Sequence, residues 1–198
     1  MADHLFPPEE TNAQEIHAIP ADAPLAARMR PRSLGELVGQ EHVLGEGSAL
    51  RAAIAQSGEP HSAVFYGPPG SGKTTLARII ATSSRGAFEE ESAVNAGRAE
   101  VRAIIERADQ RRRAADQPTI FFLDEIHRFN KAQQDALLPA VEDGVVTLIG
   151  ATTENPYFEV NSALLSRTQI IELQALEPAD VETLLRRAID RGECGDHP

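Results

Sequence analysis

The chain has 198 residues, and its 19 Lys and Arg against 30 Asp and Glu give a formal net charge of −11. A chain of this length buries enough surface to fold without a stabilising disulfide or metal ion. Its single cysteine, Cys194, excludes a framework of internal disulfides. The acidic balance excludes a uniformly basic nucleic-acid coat, although a local basic patch would still bind phosphate. No apolar run approaches the roughly 18 residues of a membrane-spanning helix. These features favour a cytosolic protein without a membrane partner.

The predicted elements begin after a leader. Residues 1–24 combine prolines with acidic residues and show no hydrophobic periodicity, which predicts a flexible segment. Beyond it, apolar runs bounded by Gly and Pro predict strands, and apolar residues at a spacing of three or four predict helices. The predicted strands are 62–66, 88–94, 119–123, 145–151 and 170–173. The predicted helices are 49–56, 74–82, 98–115, 132–141 and 178–191.

Strand and helix alternate along the whole of this region. Such alternation is typical of an α/β fold, in which a parallel sheet is covered by helices on both faces. Ligands bind such sheets at the carboxyl ends of the strands. The sequence therefore predicts a parallel five-stranded sheet whose chemistry lies in the loops that follow the strands.

A glycine-rich loop follows the first predicted strand and precedes a helix. Residues 67–74 read Gly-Pro-Pro-Gly-Ser-Gly-Lys-Thr, which fits the phosphate-loop pattern G-x-x-x-x-G-K-[ST]. Glycines let backbone N–H groups turn toward phosphate oxygens, and the helix N-terminus adds partial positive charge. Lys73 would contact the β- and γ-phosphates, and the Thr74 hydroxyl would ligate Mg²⁺. The candidate residues for binding ATP are Gly67, Pro68, Pro69, Gly70, Ser71, Gly72, Lys73, Thr74 and Thr75.

Two acidic residues, Asp124 and Glu125, come directly after the apolar run 119–123. Because the carboxyl ends of parallel strands share one edge, this pair is expected beside the phosphate loop. Asp124 would hold the hydration shell of Mg²⁺, and Glu125 would orient and deprotonate the attacking water. An exposed acidic turn is the alternative interpretation, but this pair follows a buried strand in a phosphate-loop context.

Polar residues also follow the strand 145–151. Thr153 or Asn155 could hydrogen-bond the γ-phosphate or the water, and a simple polar turn before Pro156 is the alternative. Twelve residues beyond Asn155 comes Arg167. A lone arginine is usually a solvated surface residue, but Arg167 could reach the nucleotide of a neighbouring subunit as an arginine finger.

The predicted helix 98–115 ends in three consecutive arginines, Arg111, Arg112 and Arg113. They are compatible with a surface that faces DNA phosphates. Cationic residues at a helix C-terminus are also favoured by the helix dipole. The sequence leaves both interpretations open.

Several longer strings together resemble AAA+ ATPases of the clamp-loader and Holliday-junction-motor group. Three of them are more specific than a phosphate loop and are similar to the replication-associated recombination protein A family, relatives of the Werner-helicase-interacting ATPase. The resemblance covers about residues 24–185. The motifs that carry it are Arg30-Pro31, Leu37-Val-Gly-Gln40, Gly67-Pro-Pro-Gly-Ser-Gly-Lys-Thr74, Phe122-Leu-Asp-Glu-Ile-His-Arg-Phe-Asn-Lys-Ala-Gln-Gln-Asp135, Gly150-Ala-Thr-Thr-Glu-Asn-Pro156 and Asn161-Ser-Ala-Leu-Leu-Ser-Arg167.

The resemblance implies an oligomeric, DNA-stimulated Mg-ATPase that acts at stalled or damaged replication forks, with ATP at subunit interfaces. It implies that Arg167 acts in trans and that Val38, Gly39 and Gln40 line the adenine pocket. Related clamp loaders place a Thr or Asn at the γ-phosphate sensor: counting from the strand favours Thr153, and counting back from Arg167 favours Asn155. Forked or single-stranded DNA, further copies of the chain and replication proteins are the implied partners, in the cytoplasm near the nucleoid.

The resemblance also implies a domain organisation. Residues 25–175 would form the AAA+ ATP-binding core, and residues 176–198 would begin a truncated α-helical lid. Because the lid closes the base site and oligomerisation supplies the finger, a chain of this extent is expected to hydrolyse ATP weakly. The alternative functions are a clamp-loader-like subunit in which ATP controls assembly, and a branch-migration motor subunit.

Overall fold

The computed structural model describes residues 23–55 and 60–193. The chain divides at Arg30 into two units. In the first unit, a single helical turn, α1 (Leu25–Arg28), follows Pro24. Residues 1–22 of the predicted leader lie outside the described part of the chain.

The second unit contains five strands and nine α-helices within the described ranges. The strands are β1 (Ala63–Tyr66), β2 (Ala87–Ser92), β3 (Thr119–Asp124), β4 (Thr147–Thr152) and β5 (Gln169–Glu172). The longer helices are α3 (Ala49–Ala55), α4 (Lys73–Ser83), α5 (Arg98–Ala115) and α10 (Pro178–Asp190). The short helices are α2 (Glu41–Leu44), α6 (Lys131–Asp135), α7 (Leu138–Glu142), α8 (Pro156–Glu159) and α9 (Ser162–Leu165), and a 3₁₀ turn spans Ile126–Arg128.

All five strands pair in parallel in the order β2-β3-β4-β1-β5. The predicted parallel five-stranded α/β fold is therefore confirmed. Since β4 lies between β1 and β3, the loop after β4 lies between the loops that follow those two strands. This order brings the glycine-rich loop, the acidic pair and the polar residues after β4 to one edge.

The core has two layers, one on each face of the sheet. Alternate residues of β3 enter different layers, since Phe121 belongs to one and Phe122 to the other. Val101, Ile104 and Ala108 of α5 complete the first layer. The apolar face of α4 completes the second. Helices therefore cover both faces, as the alternation of strands and helices predicts.

One predicted element is wrong in detail. The expected helix 132–141 is two short helices, α6 and α7, separated by Ala136 and Leu137. Pro139 explains the break, because it lacks an N–H group and its ring clashes with the carbonyl of residue 135 in a continuous helix. The predicted end of this region is correct: Gly144 follows α7 with a φ of +63°.

None of the helices within residues 23–55 and 60–193 combines the length and the apolar character that crossing a membrane requires.

Candidate functional site

The glycine-rich loop leaves β1 at Tyr66 and enters α4 at Lys73. Gly70 and Gly72 have φ values of +79° and +97°, which L-residues with side chains rarely adopt. A Cβ atom on Gly67 would lie 2.0 Å from the carbonyl oxygen of Leu173, so no larger residue fits there. The glycines therefore permit both the left-handed turns of the loop and its close contact with the chain after β5.

Lys73 places its ammonium group inside this loop. Its Nζ donates hydrogen bonds to the carbonyl oxygens of Gly67 at 2.7 Å and Pro68 at 2.9 Å. Partial burial lowers the pKa of Lys73 below its usual value, and the negative charge of Asp124 opposes this shift. A cation that is partly desolvated and held by neutral carbonyls is suited to exchange these partners for phosphate oxygens.

The acidic pair lies at the carboxyl end of β3, where Asp124 is the last strand residue. Its Oδ1 accepts a hydrogen bond from the backbone N–H of Glu125 at 2.9 Å. Glu125 has a φ of +52°, so the chain turns sharply at this point. Its carboxylate is partly exposed and lies 3.9 Å from Nε of Arg128. Sequence-adjacent carboxylates thus occupy different backbone conformations, which is compatible with the separate roles predicted for them.

These residues also fit a magnesium ion bound with nucleotide. No cluster of three His, Cys, Asp or Glu side chains that could hold a metal occurs in the described ranges. Mg²⁺ needs no such cluster, because it keeps several waters and is bound through one or two carboxylates plus substrate phosphates. The hydroxyl of Thr74, at the start of α4, and the carboxylate of Asp124 supply that kind of donor set.

The end of β4 lies between the phosphate loop and the acidic pair. Its last residue, Thr152, is buried, and its Oγ1 lies 3.0 Å from Nδ1 of His127 and accepts a hydrogen bond from the N–H of Glu154 at 3.0 Å. The sequence does not predict this contact between Thr152 and His127, because the contact depends on the 3₁₀ turn after β3.

The two predicted sensor residues have different environments. The Oδ1 of Asn155 accepts a hydrogen bond from the N–H of Tyr157 at 3.0 Å and so caps α8. The side chain of Thr153 is exposed and makes no hydrogen bond to another described residue. The hydroxyl of Thr153 is thus available to a ligand, whereas the amide oxygen of Asn155 already has a structural role.

Arg167 follows α9 at the protein surface. One of its terminal nitrogens donates to the carbonyl oxygen of Ala163 at 2.8 Å and to Oγ of Ser166 at 2.9 Å. The other forms an ion pair with Glu142 at 2.6 Å. A role as a finger in another subunit therefore requires Arg167 to exchange Glu142 for the phosphates of that subunit's nucleotide.

The predicted adenine-pocket segment ends in two left-handed residues, Gly39 with a φ of +72° and Gln40 with a φ of +68°. The Gln40 side chain is buried and donates a hydrogen bond to the carbonyl oxygen of Ser71 at 3.3 Å. The segment that contains Gly39 and Gln40 therefore contacts the phosphate loop.

The arginine run at the end of α5 makes contacts within its own chain. Arg111 and Arg113 form ion pairs with Glu89 and Asp109, and Arg112 donates to the carbonyl oxygen of Asp143. Two arginines earlier in α5, Arg98 and Arg102, form no ion pair with any described residue. They line a groove between α5 and α6 with a volume of about 250 Å³.

A phosphate loop between β1 and α4, acidic residues after β3 and this strand order define an ATPase core of the P-loop class. The sequence model of the ATPase family associated with various cellular activities, AAA, matches residues 63–176. The chain belongs to this family.

Its relatives agree with the resemblance seen in the motifs. The chain is 55% identical over 172 residues to replication-associated recombination protein A of Haemophilus influenzae, and the matched region covers 87% of this chain and 38% of that protein. It is 46% identical over 168 residues to the ATPase WRNIP1 of Dictyostelium discoideum, and the matched region covers 85% of this chain and 19% of that protein. The predicted resemblance is confirmed, and the chain spans well under half the length of these relatives.

A solved structure shares the fold. It is the RuvB Holliday junction branch migration motor of Thermotoga maritima, with a TM-score of 0.66 and 32% identity over 83% of this chain and 55% of that chain. The AAA fold is therefore supported by both sequence and structure.

Proposed function

We propose that this chain is the ATP-binding core of a DNA-stimulated Mg²⁺-dependent ATPase that acts in replication-fork maintenance, recombination and repair. The observation that carries this proposal is the sheet order, which brings Lys73, Asp124, Glu125 and the residues after β4 to one edge. In this proposal, residues 25–175 form the core and residues 176–198 begin a helical lid. The protein acts in the cytoplasm, near the nucleoid.

Each residue of the site has a role in hydrolysis. Lys73 exchanges the carbonyls of Gly67 and Pro68 for oxygens of the β- and γ-phosphates. Thr74 and Asp124 hold Mg²⁺, which, when bound, neutralises charge on these phosphates. The carboxylate of Glu125 orients the attacking water and accepts its proton.

Two further residues complete the proposed site. We infer that the hydroxyl of Thr153, which bonds to no described residue, contacts the γ-phosphate or the water, and the Nδ2 donor of Asn155, whose Oδ1 caps α8, is the alternative. Arg167 acts in trans on the nucleotide of a neighbouring copy, where its fixed charge stabilises the charge that develops during phosphoryl transfer. A homo-oligomer with ATP at its interfaces is therefore part of the proposal.

The DNA component is supported by the names of the relatives and by unpaired positive charge. Arg98, Arg102 and Arg112 are the arginines of α5 without an ion pair to a described residue, and Arg112 already donates to the carbonyl oxygen of Asp143. Arg111 and Arg113 already form ion pairs with Glu89 and Asp109. We therefore expect a contact between α5 and DNA phosphates at Arg98 and Arg102. Replication proteins are the expected protein partners.

The substitution E125Q tests the enzymatic part of the proposal. The glutamine keeps the size of the side chain but cannot accept the proton of the attacking water, so ATP binding should persist while hydrolysis falls by about 100-fold or more. Binding is measured with a fluorescent nucleotide and hydrolysis by phosphate release, each with and without forked DNA. Undiminished hydrolysis by E125Q would exclude Glu125 as the catalytic base.

A nucleotide-controlled assembly subunit of the clamp-loader kind is a second candidate. It would bind ATP without a response of hydrolysis to DNA, whereas the presence of both Glu125 and Arg167 favours an enzyme. A branch-migration motor subunit is a third candidate, favoured by the structural likeness to RuvB. Unwinding of a synthetic four-way junction at the expense of ATP would favour the motor over a fork-associated ATPase.

A further inference from the structure

The Gln40 side chain joins two segments that flank the proposed nucleotide site. Its Oε1 accepts a hydrogen bond from the N–H of Gln174 at 2.9 Å, and its Nε2 donates to the carbonyl oxygen of Gln174 at 2.7 Å. The same Nε2 donates to the carbonyl oxygen of Ser71, inside the phosphate loop, at 3.3 Å. Gln40 is only 5% exposed. Its amide group therefore bonds to backbone groups through both its donor nitrogen and its acceptor oxygen.

The chain at Gln174 also contacts the beginning of the phosphate loop. The N–H of Leu173 donates to the carbonyl oxygen of Tyr66 at 2.8 Å, directly before the loop. The carbonyl oxygen of Leu173 occupies the space that a side chain on Gly67 would need. The segment 173–174 is thus held at the start of the loop by its own backbone and at the middle of the loop through Gln40.

The same region is tied to α10. Arg187 of α10 donates a hydrogen bond to the carbonyl oxygen of Glu36, and Arg191 lies 3.4 Å from the carboxylate of Glu36. A Cβ atom on Gly39 would lie 3.0 Å from Oδ2 of Asp180, in the first turn of α10. Residues 36–40 therefore contact α10 on one side and the phosphate loop on the other.

Gln40 adopts this position in an unfavourable backbone conformation. Its φ of +68° is left-handed, which costs an L-residue free energy unless local interactions compensate for it. The three hydrogen bonds of its side chain supply that compensation. The side chain is therefore held in place between two backbone segments.

We propose that Gln40 is a positioning residue that transmits the state of the phosphate loop to α10. The proposal rests on the nucleotide site proposed above. When phosphates enter the loop, its N–H groups turn toward them and Lys73 leaves the carbonyls of Gly67 and Pro68. The accompanying change at the Ser71 carbonyl moves the Gln40 amide, and with it the backbone at Gln174 that leads into α10.

The substitution Q40N tests this role. Asparagine keeps the amide but is shorter by one methylene group, so it cannot reach both Ser71 and Gln174. It is also one of the residues that best tolerates a left-handed backbone, so the fold should be retained. Hydrogen exchange of the α10 amides is measured with and without saturating ADP, together with the affinity for ADP.

The chain offers a matched control in Gln134. This residue is 1% exposed, and its Nε2 donates to the carbonyl oxygens of Phe129 and Glu159 at 3.0 and 3.1 Å. Its Oε1 accepts from the N–H of Asn161 at 2.6 Å. Q134N therefore removes the same kind of buried bridge between backbone segments, but at a place that does not contact the phosphate loop.

We expect ADP to slow exchange in α10 by about tenfold in the wild type and in Q134N, and by less than about twofold in Q40N. A second variant, Q40E, keeps the length of the side chain but loses both N–H donors, and it should lose the same response. If Q40N does not fold, Q40E decides the question.

Two outcomes would overturn the inference and are distinguishable. In the first outcome, ADP binds, but it slows hydrogen exchange in α10 of Q40N or Q40E as much as in the wild type, or does not slow it in the wild type. The role of Gln40 is then refuted, and the nucleotide site stands. If the wild type does not bind ADP at all, the proposed function and the inference fail together.

Discussion

At the scale of single residues, the two lysines of the chain have contrasting environments. Lys73 lies in the phosphate loop with its ammonium on two backbone carbonyls, and burial lowers its pKa. Lys131 is exposed at the first position of α6. Only the first is held where phosphates are expected, so the two can be separated by experiment.

We expect K73M to weaken nucleotide binding by about 10- to 100-fold, because hydrogen bonds to a charged group are worth about 1.5–3 kcal/mol. The matched control is K131M, which should bind as the wild type does. Affinity is measured by isothermal titration with ADP and Mg²⁺. Equal affinities of K73M and K131M would contradict a role of Lys73 in phosphate binding.

At the scale of elements, β2 and α5 are joined by a cluster of charges. Glu89 of β2 accepts hydrogen bonds from Arg107 at 3.1 and 2.8 Å and from Arg111 at 2.6 Å. Burial by itself would raise the pKa of Glu89, but the two arginines outweigh it and the pKa lies below its usual value. The basic end of α5 therefore fixes the helix to the edge strand, which favours the structural interpretation of that arginine run.

This cluster predicts an effect of E89Q on stability. A carboxylate whose pKa is lowered in the folded state contributes stability above its unfolded pKa, and the contribution is lost as the pH falls through the folded value. Since the Glu89 side chain is only 16% exposed, E89Q should lower the free energy of unfolding at neutral pH by about 1–2 kcal/mol.

The control for E89Q is E90Q, on the next residue of β2. The Glu90 side chain is 36% exposed in its ion pair with Arg78, so its loss should cost no more than about 0.5 kcal/mol. Denaturant unfolding at neutral pH and at pH values below the pKa of Glu89 measures both variants. If the effect of E89Q persists unchanged in acid, the ionised carboxylate is not its source.

At the scale of the whole molecule, the proposed active site is incomplete without a second copy. Lys73, Asp124 and Glu125 lie at the same edge of one sheet, after β1 and at the end of β3. Arg167, in contrast, is held at the surface by Glu142. If Arg167 acts on the nucleotide of a neighbouring copy, then Glu125 and Arg167 that act on the same nucleotide belong to different chains. This arrangement can be tested by experiment.

Mixing variants tests this arrangement. R167A and E125Q should each be inactive alone, while a mixture should recover about a quarter of wild-type hydrolysis, since a random site combines an intact Glu125 with a neighbouring Arg167 at that frequency. Phosphate release is measured before and after mixing, at concentrations where light scattering shows oligomers. Full activity of R167A, or no recovery on mixing, would contradict a finger in trans.

Much of the fold and the candidate site could be predicted from local patterns. The alternation of buried runs and amphipathic segments predicts the five parallel strands, and the glycine pattern predicts the loop at 67–74. The apolar spacing of residues 132–141 continues across Pro139 and so predicts one continuous helix. The backbone geometry of that proline, rather than hydrophobic periodicity, divides it.

The contacts that set the environment of each site residue could not be predicted. The sequence leaves Thr153 and Asn155 as equal candidates, and only the structure shows that Oδ1 of Asn155 caps α8 while the hydroxyl of Thr153 bonds to no described residue. Likewise, the family resemblance implies a base pocket at residues 38–40, whereas the Gln40 amide bonds to Ser71, 31 positions away along the chain, and to Gln174, 134 positions away.

The sequence by itself therefore determined the class of the protein, the order of its elements and the types of group that would meet a nucleotide. These features depend on residue type and on spacing over a few residues. The tertiary structure alone decided the strand order, the pairing of Arg111 with Glu89 and of Arg167 with Glu142, and the bridge made by Gln40. Such contacts join segments far apart in the chain, and their geometry is set by how the helices pack on the twisted sheet rather than by any local pattern.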